Sequence, residues 1–239
     1  QSLINRNKSQ KNAEELANQK SKEIEEIASQ LSKYLSPQLY NSIFSGKKKV
    51  SIESEKKFLS VFFSDIISFT EISDKMDSAP LTEMLNLYLT KMSEIALSFG
   101  GTIDKYIGDS VMIFFGDPES EGKEKDAINC VKMAIEMQNT MKTLSKKFMK
   151  DFNLPYPLNM RIGINSGECT VGNFGSEKRL DYTVIGGAVN LASRLESNSP
   201  AGKILISDVT KKLIKGDINC QQYDQIKAKG IDELINTFI

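Results

Sequence analysis

A seam can be laid along the first 36 residues at alternating steps of three and four: Gln10, Ala13, Ala17, Lys20, Ile24, Ile27, Leu31 and Tyr34. This is the coiled-coil interval, weak in its first half and strong in its second. It fits either a lone solvated helix or a parallel helix pair. Ser36-Pro37 breaks the pattern, because the residue before proline disfavours the helical region and proline suits a helix start. A short helix over 37–44 follows, then Gly46-Lys47-Lys48-Lys49, a basic turn that reads as a solvated loop. From residue 57 the period changes. Strands are expected at 58–65, 102–107, 110–115, 158–165, 168–173, 181–185, 203–206, 220–226 and 234–238. Helices are expected at 68–76, 80–99, 123–150 and 187–196, with a small one after Ser207. Gly100-Gly101 ends the second of these. Gly108-Asp109 joins two strands as a hairpin with glycine first, as a type II′ turn prefers. A further hairpin is expected through Gly167. The helix over 123–150 presents Ala127, Cys130, Val131, Ala134, Ile135 and Met137 on its apolar side. The fold class is α+β, a mostly antiparallel sheet covered by helices. The expected division is a helix over 1–36, a connector over 37–56 and a globular domain over 57–239.

Composition narrows the chemistry. The chain has 239 residues, enough for one sizeable domain with an extension. Lys+Arg and Asp+Glu each number 31, so bulk charge gives no reason to expect nucleic acid or an anionic membrane surface. Three scattered cysteines without a CxxC spacing point to a reducing compartment. No apolar run reaches membrane-spanning length and no signal peptide is evident. The polar start at Gln1 reads as part of something longer. Histidine is absent, which excludes Ser-His and Cys-His nucleophile pairs and histidine metal sites.

Two acidic residues interrupt apolar strands. Asp65 lies inside "VFFSDIISFTEIS", and Asp109 lies at the turn of "KYIGDSVMIFF". If neighbouring strands carry them, the carboxylates converge at one sheet edge. Converging carboxylates raise one another's pKa unless a cation lies between them. A divalent ion with hard oxygen ligands resolves this, and Mg²⁺ typically takes one or two carboxylates plus substrate phosphates. The plainer alternative has Asp65 capping the helix at Ser68 and Asp109 as an ordinary turn residue. After Asp65, Phe69 and Thr70 open a helix N-terminus, whose free N–H groups favour phosphate.

"FSDIISFTEIS", "GGTIDKYIGDSVMIFFG", "MRIGINSGECTVGNFG" and "DYTVIGGAVNLASRLE" together resemble the catalytic domain of the class III nucleotidyl cyclases, over about residues 57–239. The leading helix resembles the signalling helix that precedes such domains in bacterial proteins. The resemblance implies a ferredoxin-like βαββαβ core working as a head-to-tail homodimer, with parallel N-terminal helices coupling it to an upstream sensor in the same chain. It implies that Asp65, Asp109 and the backbone carbonyl of Ile66 hold two divalent ions, Mg²⁺ or Mn²⁺. Arg161 matches the arginine that contacts pyrophosphate. Asn190, orienting the ribose, and Arg194, stabilising charge on the α-phosphate, come from the other subunit. Their i, i+4 spacing independently puts both on one helix face, although Arg194 could instead make a surface ion pair with Glu196. Lys105 matches the lysine that reads adenine, where guanylate cyclases typically carry Glu. Thr183 matches the second base-selecting position. Either Lys227 or Lys229 is the candidate for the lysine that reaches the triphosphate. The expected reaction is ATP to cyclic AMP and pyrophosphate, in a cytoplasmic domain; anchoring of the full-length protein to the inner membrane is left open. The alternatives are a guanylate cyclase and a non-catalytic dimerisation or sensing module. A ferredoxin-like RNA-binding domain is disfavoured by neutral charge and the absence of tryptophan.

Overall fold

The computed structural model describes residues 2–46, 53–176, 178–227 and 234–239. They fall into two compact units, Gln1–Lys49 and Val50–Ile239. The first unit holds α1 (Ser2–Leu31), a 3-10 turn (Ser32–Tyr34) and α2 (Pro37–Phe44). Ile24, Ile27 and Leu31 of the seam are exposed on α1. The last seam position departs from expectation: Tyr34, 87% exposed, lies on the 3-10 turn and not on the α-helix. The Ser32 hydroxyl bonds back to the Ser29 carbonyl at 2.7 Å, and Leu35 N–H bonds to Ser32 O, so local bonding tightens the chain ahead of Pro37. Ser36 then caps α2, its hydroxyl accepting from Leu39 N–H at 3.3 Å. Beyond Gly46, the expected basic turn lies outside the described residues.

The second unit contains β1 (Ser54–Ile66), α3 (Phe69–Lys75), α4 (Ser78–Ser98), β2 (Thr102–Ile107), β3 (Ser110–Phe115), α5 (Lys123–Asp151), β4 (Met160–Ser176), β5 (Arg179–Ile185), α6 (Gly187–Asn198), β6 (Ile204–Ser207), α7 (Asp208–Leu213), β7 (Gln222–Lys227) and β8 (Leu234–Phe238). The sheet runs β2-β3-β1-β4-β6-β8-β7, with β5 folded back on β4. Its first four strands, with α3, α4 and α5 as crossovers, form the antiparallel βαββαβ core that the resemblance implied. The second half of the chain extends that core by a parallel pairing of β6 on β4.

Strand β1 is buried on both faces, which is why it reads as an almost unbroken apolar run. Phe62 and Ile66 join the cluster under α4 and α5. Leu59 and Val61 face the opposite way, with Met112 and Phe114 of β3, Val184 of β5, and Val189 and Ala192 of α6. On α5 the buried stripe is Ala127, Cys130, Val131, Ala134 and Met137, continuing through Met141 and Phe148. Ile135 was expected there but is 39% exposed, one position off the stripe.

The expected hairpin through Gly167 is absent. Residues 160–176 form one continuous strand, paired to β1 over its first thirteen positions. The glycines serve another purpose. A Cβ at Gly163 would lie 1.9 Å from Glu196 N, and one at Gly167 would lie 3.0 Å from the Ala188 Cβ. Helix α6 therefore rests directly on β4, and the glycines mark close approach. At Gly108 the turn reading holds: its φ is 64°, Ile107 pairs with Ser110, and Asp109 is not among the positive-φ residues.

Candidate active site

Asp65 and Arg161 are cross-strand partners of β1 and β4. Arg161 Nη2 donates to Asp65 Oδ2 at 2.9 Å. Arg161 Nε stands 2.6 Å from Glu196 Oε1, an ion-pair contact whose angle does not make it a hydrogen bond. Asp109 reaches the same strand end from the β2–β3 turn, where its Oδ2 accepts the Ile66 N–H at 2.8 Å. Burial, and then the neighbouring Asp65 charge, push the Asp109 carboxyl up to about 6. Asp65 does not cap α3, whose N-cap Ser68 has φ 60° and no side-chain cap bond. The structure thus brings Asp65, Ile66, Asp109 and Arg161 together.

Glu196 was not singled out as part of this cluster. Sequence reasoning offered it as a surface partner for Arg194, but it is buried and faces Arg161. Its burial raises its pKa, while the Arg161 charge pulls the other way. The one sequence signal was Gly163, two residues beyond Arg161 on the same strand face, which lets α6 come this close.

Lys105 and Thr183 meet elsewhere, around a residue the sequence reading passed over. Thr183 Oγ1 donates to Asp104 Oδ2 at 2.8 Å, and Lys105 Nζ lies 3.6 Å from the same oxygen. The Asp104 side chain is fully buried, whereas that of Lys105 is 42% exposed. A bulge between Ile103 and Lys105 inserts Asp104 into β2.

Asn190 and Arg194 share the exposed side of α6, opposite the buried Val189, Ala192 and Leu195. Among the described residues neither side chain is hydrogen-bonded or ion-paired to Asp65 or Asp109. Phe69 packs against the main core, and Thr70 is exposed, its carbonyl accepting from Ser73 Oγ at 2.9 Å. Lys227 is exposed at the end of β7, and Lys229 lies outside the described residues.

The family model for the adenylate and guanylate cyclase catalytic domain matches residues 52–239. The chain belongs to this cyclase family. Among solved structures, the cyclase domain is 52% identical to the adenylyl cyclase CyaB from P. aeruginosa, with TM-score 0.76 over 78% of this chain and 94% of that one. It is 33% identical to the guanylyl cyclase Cya2, with TM-score 0.73 over 77% and 92%. An adenylate cyclase of Anabaena cylindrica is 32% identical over 75% of this chain and 36% of its own length. The terminal-differentiation adenylate cyclase of Dictyostelium discoideum is 35% identical over 76% of this chain but 8% of its own length. The chain therefore spans only a minor part of the length of the Anabaena and Dictyostelium proteins. No described helix is long and apolar enough to cross a membrane.

The cyclase site suits a divalent cation. Asp65 and Asp109 supply hard oxygen donors side by side, and desolvation of Asp109 leaves its charge needing compensation. Among the described residues no group of three or more His, Cys, Asp or Glu side chains forms. An ion held here would draw on the two carboxylates, backbone oxygen and a ligand's own phosphates, the pattern Mg²⁺ favours.

Proposed function

We propose that the chain is an adenylate cyclase domain that converts ATP to 3′,5′-cyclic AMP and pyrophosphate at sites shared by two copies. The observation that carries this reading is the convergence of Lys105 and Thr183. Together they offer one cationic donor and one hydroxyl oxygen, which suits the ring-nitrogen acceptor and the amino donor of adenine. The 52% identity to a solved adenylyl cyclase supports the same reading.

The 3′-hydroxyl attacks the α-phosphorus in line, and pyrophosphate leaves. Asp65, Asp109 and the Ile66 carbonyl would hold the divalent ions, two by analogy with the family. When bound, those ions supply positive charge that acidifies the hydroxyl and neutralises the phosphates. Arg161 already lies against Asp65, so a polyphosphate arriving there meets a guanidinium positioned to contact it. Asn190 and Arg194 reach the nucleotide from the second copy, Asn190 at the ribose and Arg194 at the α-phosphate. Their work is positioning and charge stabilisation. Lys227 is the described candidate for a further triphosphate contact.

Product analysis with ATP and GTP, each with Mg²⁺ and Mn²⁺, tests the proposal. The expected result is cyclic AMP in excess, with Arg194→Ala lowering turnover on the order of 10²–10³-fold without loss of fold. Cyclic GMP as the main product would favour the guanylate reading, to which Cya2 is the relevant likeness. No cyclic nucleotide under any condition would overturn both.

A further inference from the structure

We propose that Asp104 is the positioning residue that makes this site choose adenine over guanine. The inference rests on the adenylate cyclase reading and deepens it.

Thr183 alone is not selective. A free hydroxyl can donate or accept as its proton rotates. It would accept from the amino group of adenine and donate to the carbonyl oxygen of guanine almost equally well. In this structure its proton is committed. Thr183 Oγ1 donates to Asp104 Oδ2 at 2.8 Å, and an ionised carboxylate can only accept. The Thr183 oxygen is left with lone pairs alone to offer a ligand. Beside it, the ammonium of Lys105 stands 3.6 Å from that same Asp104 oxygen and can only donate. The pair therefore presents one acceptor and one donor in fixed roles. The Watson–Crick edge of adenine carries an amino donor and a ring-nitrogen acceptor, which is complementary. Guanine reverses both at the corresponding atoms, so each would face its own kind.

The backbone is arranged for this. The bulge at Asp104 shifts the strand register so that Lys105, not Asp104, stands opposite Met112. Met112 belongs to the cluster that also holds Val184 of β5 and Val189 and Ala192 of α6. Cross-strand partners share a face, so the insertion brings Lys105 round to the side of that cluster. Asp104 itself is driven inward. Its side chain is fully buried, and its Oδ1 has no hydrogen-bond partner among the described residues. A buried carboxylate oxygen without a donor works against stability. A strand with no use for the group would do better with an apolar residue there.

The test is the ratio of kcat/KM for ATP to that for GTP, measured at pH 8. This ratio does not depend on how much of a variant is folded. Asp104→Asn keeps the shape but adds an amide donor, so the Thr183 proton is no longer obliged to point inward. Asp104→Ala removes the acceptor altogether. Both should lower the ratio on the order of tenfold, mainly by raising activity on GTP. In a Thr183→Val background, where no hydroxyl remains to orient, neither change at position 104 should move the ratio further. Effects that add independently of Thr183 would overturn the proposal. So would a wild-type preference for ATP that both variants preserve within twofold. A wild-type chain that shows no preference for ATP would sink the adenylate cyclase reading as well, and that result is visible before any variant is made.

Discussion

Asp109 carries a charge that its surroundings resist. Burial and the adjacent Asp65 together raise its carboxyl to about 6, opposed by the Ile66 N–H and, less strongly, by Asp109's own backbone N–H. Above about pH 6, where the group is ionised, a bound cation removes the conflict, so metal binding should register in thermal stability without any turnover. Manganese at a hundredfold excess over its Kd should raise the melting temperature by roughly 5–10 °C, from ligand linkage in a domain of this size. Asp109→Asn should abolish that rise while leaving the metal-free melting temperature unchanged or higher, because the amide oxygen can still accept from Ile66. A metal-free variant that melts well below the wild type would make Asp109 a structural residue and not a ligand. The sequence pointed to this aspartate because it stood beside a strand with no polar reason to hold it. Asp104 and Glu196 gave no such sign. Asp104 matters through a strand bulge, and Glu196 through a helix resting on backbone. Neither is visible as a spacing of residue types.

At the scale of elements, β4 shows what local pattern misses and why. Glycine between two apolar runs reads as a turn, yet residues 160–176 run straight through Gly163 and Gly167. The missing side chains are required by α6, which arrives in space from later in the chain. The two positions should therefore differ sharply in tolerance. Gly163→Ala sets a methyl group 1.9 Å from the Glu196 backbone nitrogen, which no rotamer change relieves. It should cost at least the ~3 kcal/mol at the upper end of overpacking. It should also depress activity further, by displacing the helix that carries Asn190 and Arg194. At Gly167 the methyl meets only the Ala188 Cβ at 3.0 Å, and alanine there should be much milder. Urea midpoints for the two variants check the ranking, and equal losses would mean that α6 is not held by this close approach. Elements defined by their own period were read well. Strands β2 and β3 fall at their expected bounds, because a glycine-first turn and two short apolar runs leave few alternatives.

For the whole molecule, the arrangement that matters is that Arg194 makes no ion pair with Asp65, nor with any other described carboxylate, within one chain. Helix α6 spends its inner face on β4 and β1, so Asn190 and Arg194 are left outward with no acidic partner among the described residues. If catalysis needs both sets, a second copy must present one of them. Homodimers of Asp65→Ala and of Arg194→Ala should then each be inactive, since every site lacks one contribution. When equal amounts exchange subunits, half of the dimers are mixed. Each mixed dimer concentrates both lesions in one site and leaves the other whole. Activity should return to about a quarter of the wild-type value, and it should fall on dilution as dimers dissociate. A mixture that stays inactive although differently tagged chains demonstrably co-purify would show that one chain completes its own site. The exposure of Arg194 would then need another explanation.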